Sequence, residues 1–117
     1  DGIACCSYSI DVHGQKPGET RLERMPMGEY FQIPYRCLTP KYKKNLLIAS
    51  RGISADIAAH SSLRIMPVVM NIGEAAGYAA AMACEAGDTR AIDVQALRAK
   101  IRDAGGSLEP WPLEIPE

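Results

Sequence analysis

Two histidines and two arginines are the residues of this sequence best suited to chemistry. His60 stands among small residues, Ala59-His60-Ser61-Ser62, where an imidazole that titrates near neutrality can donate a proton or orient a substrate. A structural hydrogen bond explains a lone loop histidine equally well. Arg64 lies between Leu63 and Ile65, just ahead of Pro67, where a helix is predicted to begin. A cation there meets the positive end of the helix dipole and needs an anion beside it: a carboxylate, a substrate or a cofactor. Arg51 closes an apolar run and has the same two readings, functional contact or ion pair. His13 follows Ile10-Asp11-Val12 and precedes Gly14, a setting that favours turn chemistry.

The four cysteines, Cys5, Cys6, Cys37 and Cys84, form no CxxC pair and no zinc spacing with histidine, so no metal site is expected. Cys5-Cys6 invites a dithiol reading, but vicinal cysteines serve most simply as small apolar residues. With 47% apolar residues the chain has no need of a disulfide framework, and a reducing cytoplasm is the expected compartment. A net charge of −1 gives no electrostatic case for nucleic acid or an anionic membrane. The opening Asp1-Gly2-Ile3-Ala4 has neither a basic start nor a long apolar stretch, and lacks an initiator Met. It is expected to begin inside a longer reading frame. Ile65–Ala83 contains Asn71 and Glu74 and much Ala and Gly, which suits a helix buried in protein rather than a membrane span.

The elements that must position these groups follow from periodicity and punctuation. The 117 residues suffice for one domain of α+β class, with short strands, then a βα unit and a second C-terminal helix. Ser7–Val12 alternates as a strand, and Gly14, Pro17 and Gly18 mark a loop. Glu29–Leu38 is rich in β-formers but broken by Pro34, which predicts two short strands or a bent edge strand. Asn45–Ala49 reads as a strand covered on both faces. A polar loop is predicted from Ser50 through Ser62, then a helix from Val68 to Glu85 with Pro67 ahead of it and Gly87 as its stop. On that helix Val69, Ile72, Ala76, Ala79 and Ala83 make one stripe, and Gly73, Gly77, Ala80 and Cys84 make a face of small residues. Such a face packs tightly on a sheet, lets the helix N-terminus approach a ligand, or does both. A last helix is predicted from Asp93 to Asp103, ended by Gly105-Gly106, and the proline-rich end reads as an extended tail. The chain thus divides into 1–44, a strand-rich piece, 45–107, the βα unit and last helix, and 108–117, the tail.

Four ordered blocks, Tyr30–Pro40, Asn45–Ser54, Ala59–Pro67 and Gly73–Ala81, give the sequence a family resemblance. It resembles the C-terminal segment of bacterial FAD-dependent oxidoreductases of the glutathione-reductase-like fold, over roughly Ser7–Ser107. The resemblance implies that Asn45–Ala49 is the last strand of the nucleotide-binding sheet. It places Ser50, Arg51 and Gly52 in the turn beside FAD, and Arg64, Ile65, Met66, Pro67 and Met70 at the isoalloxazine. His60, on the substrate side, and Arg64 become the catalytic candidates. Many relatives have Gly where this chain has Ser50, whose side chain would crowd the cofactor or shift the turn. No GxGxxG follows a strand anywhere in the sequence. The missing N-terminal FAD-binding half is therefore the expected partner, with a small organic substrate, and the chain alone is expected to be inactive and free of FAD.

Two other readings remain open. A non-enzymatic α+β module would cover its apolar faces by self-association. A mononucleotide or phosphate binder would use the same helix N-terminus, though the sequence lacks a P-loop Lys.

Overall fold

The computed structural model describes residues 1–14, 16 and 18–109. Pro17 and the tail from 110 to 117 lie outside the described residues, so the tail assignment rests there on sequence alone.

Gly2–Cys6 forms β1, which pairs antiparallel with β4, Phe31–Pro34, bringing Ala4 opposite Ile33 and Cys6 opposite Phe31. A separate hairpin joins β2, Ile10–Val12, to β3, Arg21–Glu23, with Asp11 opposite Leu22. Three α-helices follow: α1, Ile57–Leu63; α2, Met66–Ala86; and α3, Val94–Asp103. The α+β class is as the sequence implies. Helices α2 and α3 pack on β1, and α1 packs on β2. One core results: Ile3, Ile33, Leu38, Ile72, Leu97 and Leu108 are each at most 2% exposed. Each such burial contributes about 1.5–3 kcal/mol, and Ile3 anchors a strand whose other residues, Gly2, Ala4, Cys5 and Cys6, are small.

Local chemistry explains the helix ends. Pro67 sits in the first turn of α2, where a missing N–H costs nothing, and Gly87 ends it with φ of 71°, a left-handed value that favours glycine. The α2 stripe is buried at Val68, Ile72, Ala75, Ala76 and Ala79, with Val69 and Ala83 only partly covered. Asp93 caps α3 by accepting from the N–H groups of Gln95 and Ala96 at 2.8 and 3.2 Å.

Four expectations are corrected. Only Ile10–Val12 of the predicted Ser7–Val12 strand is paired, because the Tyr8 and Ser9 carbonyls accept hydrogen bonds from the buried Ser62 hydroxyl instead of joining a ladder. After Pro34 the chain tightens into a 3₁₀ turn, Tyr35–Leu38, rather than a second strand. Asn45–Ala49 is no strand: Ile48 N–H bonds to the Leu38 carbonyl at 2.8 Å, but no neighbouring strand lies beside it among the described residues. The polar loop from Ser50 to Ser62 contains α1, nucleated by Asp56, whose Oδ1 accepts from Ala59 N–H at 2.7 Å.

Candidate functional site

The two candidate segments, 50–52 and 60–70, meet at the corner between α1 and α2. Arg51 Nε donates to the Arg64 carbonyl at 2.8 Å, and the His60 ring places Nε2 3.0 Å from the Arg51 carbonyl. A carbonyl only accepts, so His60 carries its proton on Nε2. Ser50 does not project freely: its Oγ accepts from Gly52 N–H at 3.0 Å, closing the turn on itself. Gly52 has little room to spare, since a Cβ there would stand 3.3 Å from Ser50 Oγ.

Arg64 caps the C-terminus of α1 with its N–H donated to the His60 carbonyl, and Ile65 is the N-cap of α2. Arg64 Nη2 donates to the Asp11 carbonyl at 3.1 Å. The anion expected beside it is not a protein carboxylate: among the described residues none lies within 4.0 Å of Arg64 or of Arg51. Two guanidinium charges therefore flank this corner with no carboxylate of the described residues in ion-pair range. The first turn of α2 has no side-chain cap; Pro67 carries no N–H and Val69 N–H bonds to the Ile65 carbonyl, which leaves the N–H groups of Met66 and Val68 without a helical acceptor. Met66 and Met70, one helical turn apart, are 71% and 73% exposed. Exposed thioethers beside open N–H groups and uncompensated arginines suit a flat aromatic ring with an anionic edge. By that donor set the corner fits the isoalloxazine of FAD. It offers nothing of the kind for the adenosine end.

Two further features bear on the site, and sequence reasoning passed over the first. The Asp11 N–H donates to Ser61 Oγ at 3.1 Å, so β2 brings Asp11 and His13 into a cleft of about 270 Å³ shared with Asp56, His60 and Arg64. The clue was the polar side chain on alternate strand positions, Asp11 then His13, which must leave by one face. The second feature is a groove of about 680 Å³ between the small-residue face of α2 and residues 44–49. No sheet packs on that face among the described residues, and a Cβ added at Gly73 or Gly77 would meet no atom within 4 Å. Thr89, 4% exposed, lines the groove and its hydroxyl has no partner among the described residues.

The Cys5-Cys6 pair gains no reactivity from its setting. Burial pushes both thiols up, with Glu109 adding to the effect at Cys5. No helix among the described residues is long and apolar enough to cross a membrane.

A family model described as FAD dependent oxidoreductase matches residues 1–101. No curated protein and no solved structure matches the chain.

Proposed function

Because the chain belongs to the family of FAD-dependent oxidoreductases, we propose that it forms the C-terminal, isoalloxazine-side part of a flavin site completed by a separate dinucleotide-binding half. The observation that carries this reading is the corner itself. Hydrogen bonds through Arg51 join the turn at 50–52 to His60 and Arg64, and the open end of α2 follows directly. Ser50, Arg51 and Gly52 would border the cofactor. Arg64, Ile65, Met66, Pro67 and Met70 would lie at the ring.

Bound flavin would supply the acceptor for a hydride or electron pair from a small organic substrate. The chain's own groups do the rest. Arg64 and the N–H groups of α2 favour negative charge at the ring edge. His60 is held by Arg51 through Nε2, and its Nδ1 would be the nitrogen offered to a substrate. The glutathione-reductase-like arrangement of the whole enzyme is part of the same proposal.

The groove supports the proposed partner. Gly73, Gly77, Ala80 and Cys84 keep side chains off one face of α2, yet nothing in the described chain uses the space. Glycine inside a helix costs roughly 0.5–1 kcal/mol relative to Ala, a cost with a purpose if another backbone packs there. The segment 45–49 beside it lacks a ladder partner among the described residues, as a strand does when its sheet belongs to the other half.

The test is a flavin titration in two forms. The 117-residue chain alone is expected to purify colourless and to leave FAD fluorescence unquenched. The same chain joined to a dinucleotide-binding half is expected to hold FAD. Stoichiometric flavin on the chain alone would overturn the two-part site. Failure of Arg51→Ala or Arg64→Met to alter the flavin spectrum of the joined protein would overturn the placement of the corner.

A further inference from the structure

We draw no further inference here: the strongest candidate, the groove between the small-residue face of α2 and residues 44–49 with the buried Thr89 hydroxyl unpartnered among the described residues on its wall, belongs to the two-part site already proposed, and nothing in the structure shows what covers it.

Discussion

The His60 ring reaches across to the Arg51 carbonyl at 3.0 Å, and the Arg51 side chain reaches on to the Arg64 carbonyl at 2.8 Å. Three residues separated in the chain thus share one scaffold, and the imidazole is its keystone. His60→Ala leaves the Arg51 carbonyl to water and is expected to destabilise the chain by about 0.5–1.5 kcal/mol, the net worth of one such bond. The urea midpoint checks it. An unchanged midpoint would mean that His60 is held by nothing and positions nothing.

The small-residue face makes a prediction of opposite sign in two settings. A Cβ at Gly77 meets no atom within 4 Å in this chain, so Gly77→Ala is expected to stabilise the isolated chain by about 0.5–1 kcal/mol through helix propensity. In the joined flavoprotein the same methyl would intrude on the proposed partner half and is expected to lower flavin occupancy. Thermal unfolding of the chain and flavin content of the joined protein measure the two effects.

Much of this arrangement is legible in the sequence where the signal is local. Pro67 and Gly87 bracket α2, Asp93 caps α3, and Leu97 and Ile101 fall on its buried stripe. What escapes is set by partners distant in the chain. Apart from Ile3, the residues of β1 are small and carry weak strand propensity, and they owe their pairing to Phe31–Pro34, some thirty positions on. The run Asn45–Ala49 has the composition of a buried strand, but composition does not create the neighbour that would complete it. Helix α1 is too short for periodicity to show, although Asp56 ahead of it was a readable cap. Of the site, the residues at the corner were legible and the Asp11–His13 pairing with it was not, because a hairpin and a helix must first dock.

Acid should act on Asp88. The Arg90 backbone N–H, donated at 2.9 Å, holds its carboxyl below the usual carboxylate range, with the Arg90 guanidinium and Lys44 adding to the effect against some desolvation. A folded-state value below the unfolded one contributes stability that is complete above the ordinary carboxylate value near 3.9 and is lost as pH falls through the depressed value. Asp88→Asn is therefore expected to lower the urea midpoint at about pH 7, with the gap to wild type narrowing as pH falls below the ordinary carboxylate value. A gap that widened on acidification would reverse the assignment.

The placement of the flavin ring at Arg64 is tested most directly by the reduction potential of the joined flavoprotein. Reduction of the flavin adds negative charge, and under the proposed placement Arg64, with no carboxylate within 4.0 Å among the described residues, would stabilise it. For a two-electron couple ~30 mV corresponds to about 1.4 kcal/mol. Arg64→Met is expected to lower the midpoint potential by some tens of millivolts while FAD stays bound. A midpoint equal to that of wild type, with flavin retained, would contradict the account and leave Arg64 as the residue that merely ties α1 to the Asp11 carbonyl.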